Sequence, residues 1–163
     1  MIHSQKPWFD AVPWESVLTL NRALCQAQKM ESLHNSKGLD RARRLWEKAG
    51  SRKMSLEQAC EICHECQELA PFTFNNGNTF AAIGRTFVED HLKWMPPVEA
   101  QIIRTTICHY IVGLIGRREL AQVLRHFESS LPPGPRAANE PVAALPAPAR
   151  PAPARPQEQR APA

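Results

Sequence analysis

Apolar residues return every three or four positions through most of the first 130 residues, and that spacing predicts helices rather than strands. Met1 to Val12 shows no period, and Trp8 with Phe9 is expected to lie on the domain as an apolar clip. Pro13 suits the first turn of a helix. Trp14, Val17, Leu18, Asn21, Leu24 and Cys25 then share one face, and this first helix should fade near Leu33. A second helix is expected from Leu39 to Ala49, burying Leu39, Ala42, Leu45, Trp46 and Ala49 and ending at Gly50.

Ser55 and Gln58 match a capping box that opens a third helix. Leu56, Ala59, Cys60, Ile62, Cys63, Cys66 and Leu69 fall on one arc of it, and Glu57, Glu61, His64 and Glu68 form a solvated stripe opposite. Pro71 stops it. Asn75 to Asn78 reads as a tight turn in which Gly77 supplies a positive φ. Asn78 or Thr79 would cap a fourth helix that buries Phe80, Ile83, Gly84, Phe87, Val88, His91, Trp94 and Met95. Arg85, Glu89 and Lys93 stand outside it as i,i+4 pairs. Pro96 and Pro97 separate it from Val98–Ile115, whose apolar residues reach all round and predict a central helix broken by Gly116. Arg117 to Phe127 makes a last amphipathic helix, with Leu120, Val123, Leu124 and Phe127 inward. The pattern is all-α: about six helices in one orthogonal or bundle-like domain over residues 1–130.

Composition changes the picture at Leu131. The last 33 residues hold ten of the 15 prolines, with alanine and scattered arginine, and cannot bury a core. Residues 131–163 are expected to be a disordered tail. The tail carries +2 of the net charge of +4, so the domain is nearly neutral. Basic residues nevertheless cluster in Lys37–Lys53, where Arg41, Arg44, Lys48, Arg52 and Lys53 could meet an acidic partner or nucleic acid. Glu99, Arg104 and His109 interrupt the longest apolar stretch, so no membrane span is expected. Five cysteines and no visible export signal point to a cytoplasmic protein with reduced thiols.

Two stretches carry candidate chemistry. Cys60-Glu-Ile-Cys63-His64 matches a haem-attachment pattern, and Cys60, Cys63 and Cys66 with a distant Cys108 outline a ferredoxin-like set. On an intact helix each three-residue step rises about 4.5 Å, too much for Cys60 and Cys66 to share one ion. Cys60 and His64 could share one, and with Cys63 and Cys108 or His109 a zinc site is conceivable. Against these stands plain burial, since free cysteine packs as a small hydrophobe. The favoured expectation is therefore no cofactor, with zinc or an iron–sulfur cluster as the alternative.

The second stretch is the turn before the fourth helix. A helix N-terminus favours anions, so Asn76, Gly77, Asn78 and Thr79, assisted by Arg85, form a candidate anion or nucleotide site. Phe74-Asn75-Asn76-Gly77-Asn78 resembles the F-x-x-G-N part of the Fic nucleotidyl-transfer loop over those five residues. The family's catalytic His would fall on Phe72, and its second Gly and following Arg on Thr79 and Phe80. The resemblance thus carries neither that base nor that phosphate-gripping Arg. No nucleophile–base pair or paired carboxylate set stands out. The function expected is a non-enzymatic interaction or regulatory module with an unidentified protein partner.

Overall fold

The structure is a computed structural model and describes residues 5–130, with side chains described through His126. Its six helices are α1 (Trp14–Ala27), α2 (Ser36–Ala49), α3 (Leu56–Glu68), α4 (Asn76–Leu92), α5 (Pro97–Ile111) and α6 (Arg117–Ser130). The all-α expectation holds. The expected tail at 131–163 and the inward Phe127 lie outside the described residues and side chains.

α4 is the hub: it packs on α1, α3 and α5, while α2 leans on α3 and α6 on α5. One apolar cluster runs from Trp8 to Leu124 through all six helices. Gly84 makes the α4–α5 seam close, because a Cβ there would collide with Ile111. Across that seam Ile103, Ile107 and Ile111 are fully buried. The N-terminal clip forms as expected: Trp8 and Phe9 are buried, and Phe9 meets Trp46 edge-on at 4.6 Å. Lys6 and Met54 exchange backbone hydrogen bonds of 3.0 and 3.1 Å, and the Trp8 indole N–H donates to the Met54 carbonyl at 2.7 Å.

The ends of the helices are set by local chemistry. The capping box of α3 is present, with the Gln58 N–H on Ser55 Oγ at 3.2 Å and the Ser55 N–H on Gln58 Oε1 at 3.0 Å. Several ends differ from the periodicity. α1 stops at Ala27, not near Leu33, because Lys29 turns left-handed (φ 56°) and the Met30 N–H closes back on the Cys25 carbonyl at 2.8 Å. α2 begins at Ser36, three residues before Leu39. α5 ends at Ile111 rather than at Gly116: Gly113 takes φ 79°, and the Leu114 N–H reaches the His109 carbonyl at 2.8 Å. Such a cap satisfies terminal carbonyls and needs a residue free to adopt the left-handed region, which glycine does without strain.

Candidate functional site

The arc of α3 faces inward as its period requires. Cys60, Cys63 and Cys66 are each fully buried. Burial pushes the Cys60 and Cys66 thiols up to about 12 and raises the Cys63 thiol well above its ordinary value, because a thiolate there would lose its water. The Cys66 S–H points to the Ala42 carbonyl at 3.8 Å and the Cys108 S–H to the Ala81 carbonyl at 3.9 Å. Cys108 approaches closely enough to influence Cys60. The other proposed ligands turn away: His109 is exposed, and His64 Nδ1 lies 2.9 Å from the Ile111 carbonyl. Because a carbonyl only accepts, the proton of His64 is on Nδ1. His64 is therefore half-buried against Tyr110 and not the solvated residue expected from its glutamate neighbours. Among the described residues no three His, Cys, Asp or Glu side chains converge to hold a metal ion.

The turn before α4 is built differently from the expectation. Asn75, not Gly77, takes the left-handed conformation (φ 62°), and the helix already starts at Asn76. Gly77 lies inside the first turn, where a Cβ would stand 3.1 Å from Val112 Cγ1. Its small size thus serves contact with the end of α5. Neither Asn78 nor Thr79 is the cap. Asn76 instead grips the backbone of Phe72, accepting from its N–H at 3.0 Å and donating to its carbonyl at 2.7 Å. Thr79 donates to the Asn75 carbonyl at 2.7 Å.

Behind this turn Asn21 is completely buried on α1. Its amide donates to the Phe74 carbonyl at 2.9 Å and to Thr79 Oγ1 at 3.1 Å. Its oxygen accepts from Ser32 Oγ at 3.2 Å and, weakly, from Cys25 Sγ at 3.8 Å. Both amide protons and the oxygen are satisfied, which is what allows an amide so deep in the core. The Phe74 carbonyl, Asn75 and Thr79 are thus committed to holding α1 against the start of α4, while Asn76 is spent on the Phe72 backbone. Arg85 is roughly 13 Å further along the helix axis and acts on Cys108, not on the turn.

Arg41, Arg44, Lys48, Arg52 and Lys53 are all exposed. Arg41 and Arg44 border an open cleft of about 550 Å³ between α2 and α3, lined also by Leu45, His64, Glu65, Glu68 and Leu69. The two glutamates opposite offset the arginines, so the cleft is mixed in charge rather than basic.

The most exposed apolar residues lie elsewhere. Trp94 is 86% exposed and Val98 72%, with Ile102 half out of the surface. Trp94 was expected on the buried face of the fourth helix, but α4 ends at Leu92, and the two residues beyond escape its period. Val98 and Ile102 were expected inside a central helix. The buried side of α5 is instead Ala100, Ile103, Ile107, Tyr110 and Ile111, leaving Val98, Ile102, Thr105 and His109 along the opposite face. The i,i+4 pairing expected on α4 also changes. Glu89 forms a two-pronged ion pair with Arg104 of α5 at 2.8–2.9 Å, and Lys93 pairs with Asp90 at 2.7 Å. The signal that could have located this surface was the apolar excess of α5: residues apolar on all sides of a helix in a small domain cannot all be inside.

Comparison with protein-family models, with curated proteins and with solved structures gives no significant match. No helix among the described residues is long and apolar enough to cross a membrane.

Proposed function

We propose that this chain is a non-enzymatic interaction or regulatory module whose contact surface is the α4–α5 corner and the outer face of α5. The observation that carries the reading is Trp94 at 86% exposure beside Val98 at 72%. Leaving such side chains in water forgoes roughly 1.5–3 kcal/mol for each large apolar group, so a surface that collects them is suited to being covered. Tryptophan also supplies large contact area at low entropy cost and is enriched at binding hot spots. The Glu89–Arg104 and Asp90–Lys93 ion pairs belong to the same two helices, and charged pairs of this kind commonly border an apolar contact core.

The reading is tested by placing a photo-crosslinking residue at position 98 of the full chain inside cells, with the same residue at exposed Arg22 as control. Adducts specific to position 98 support it. A chain that crosslinks equally from both positions, or from neither, overturns it.

A further inference from the structure

The outer face of α5 has a property beyond exposure. Val98, Gln101, Ile102, Thr105 and His109 follow one another along it, and none of them is Asp, Glu, Lys or Arg. The strip is about 17 Å long from Val98 to His109 at the helical rise. It has an apolar group at each end. Trp94 stands just before the helix, and Leu114, 70% exposed, is anchored by its N–H to the His109 carbonyl just after it.

From this arrangement we infer that the strip binds a second copy of the same chain, with α5 packed antiparallel to its mate about a two-fold axis near Ile102 and Thr105. The proposal rests on the interaction reading above and names its partner. A two-fold interface must be complementary to itself. A charged strip would set like charges against each other at the axis, whereas an uncharged one meets its copy without repulsion. Antiparallel pairing also places each end on the other, so Trp94 of one copy covers the Leu114–His109 end of its partner. A parallel arrangement would instead set Trp94 against Trp94 and Leu114 against Leu114, with neither end crossing to the other.

The area sets the strength. Each tryptophan contributes roughly 200 Å². With Val98, Ile102, Thr105 and Leu114, each copy falls below the roughly 800 Å² of a standard interface. The pairing expected is therefore a concentration-dependent dimer with a dissociation constant in the micromolar to submillimolar range, not an obligate one.

The test is sedimentation velocity of the full chain from 5 to 500 µM. The expected result is a shift from monomer to dimer across that range. Val98→Glu should raise the dissociation constant at least tenfold, and Val98 is exposed enough for the variant to melt as the parent does. Ile102→Cys should give an intermolecular disulfide under mild oxidation, because the two copies of a residue beside the axis face each other. A chain monomeric at 500 µM overturns the proposal, as does a dimer indifferent to Val98→Glu. The crosslinker at position 98 separates the two levels of the argument. An adduct joining two copies supports the dimer. An adduct with a different protein, or with residues 131–163 of the same chain, removes the second copy but leaves the interaction surface. No adduct removes both.

Discussion

The inner face of α3 carries residues with reactive chemistry and keeps them from water; the outer face of α5 carries residues with none and offers them to it. Cys60, Cys63 and Cys66 have the spacing of a ligand set, yet the helix stays intact and its apolar side, cysteines included, turns into the core. Val98 and Ile102 have the character of core residues, yet α5 can bury only one side. The difference follows from helix geometry. A helix at the surface of a small domain has one inward arc, and whatever lies on that arc is desolvated while whatever lies off it is not. Residue type decides the energetic consequence, not the position.

The sharpest way to break the comparison is alkali. In the unfolded chain the thiols ionise near the usual 9.0, while Cys60 and Cys66 hold their protons to about 12. A folded-state value raised above the unfolded one gives stability that is complete below pH 9 and lost as pH rises toward 12. Each of these thiols contributes a loss of roughly 1.4 kcal/mol per pH unit in that window. Two of them remove several kcal/mol by pH 11, a large part of the stability of a domain this size. Urea unfolding at stepped pH measures it. A stability curve flat from pH 9 to 11 would mean that the α3 thiols reach water and are not core.

The next effect concerns the two sides of α5. Ile111→Ala, at a fully buried position against Gly84, should cost about 2–5 kcal/mol in chemical denaturation. A cost below about 0.5 kcal/mol would place the seam elsewhere. Cys63→Ser comes third, at about 1–3 kcal/mol, because it sets a hydroxyl in a fully buried site whose thiol is held neutral by burial. A variant of unchanged stability that no longer resists thiol alkylation would contradict the packing described for α3.

Much of this was legible in the chain. The capping box at Ser55 and Gln58, the buried cysteine arc, the Trp8–Phe9 clip and the buried stripes of α1 and α2 all follow from a 3.6-residue period and local hydrogen bonding. What was not legible has a common cause. Period alone does not say where a helix yields to a left-handed residue, and Lys29, Asn75 and Gly113 each moved a boundary. The boundary shift at Leu92 put Trp94 outside, and the shift at Ile111 did the same for Leu114. The turn at Asn75–Thr79 looks available in sequence, but Asn21 on α1 holds its Phe74 carbonyl and Thr79 hydroxyl, and Asn75 reaches Cys25 and Gln28 at the end of α1. Tertiary partners this far away along the chain leave no trace in a local pattern.

The smallest effect is the most diagnostic of the outer face. Trp94→Ala and Val98→Ser should each change stability by no more than about 0.5 kcal/mol, since side chains already in water in the folded state lose little when removed. The measurement must be made near 5 µM. At higher concentration, association with a second copy would add stability to the parent through mass action, and the same substitutions would then appear destabilising. The two conditions give different information. A loss above about 1 kcal/mol at 5 µM would mean that Trp94 or Val98 packs within the monomer, so that the corner is not a surface. A difference between parent and variant that is absent at 5 µM and grows with concentration would locate the role of both residues in contact between chains.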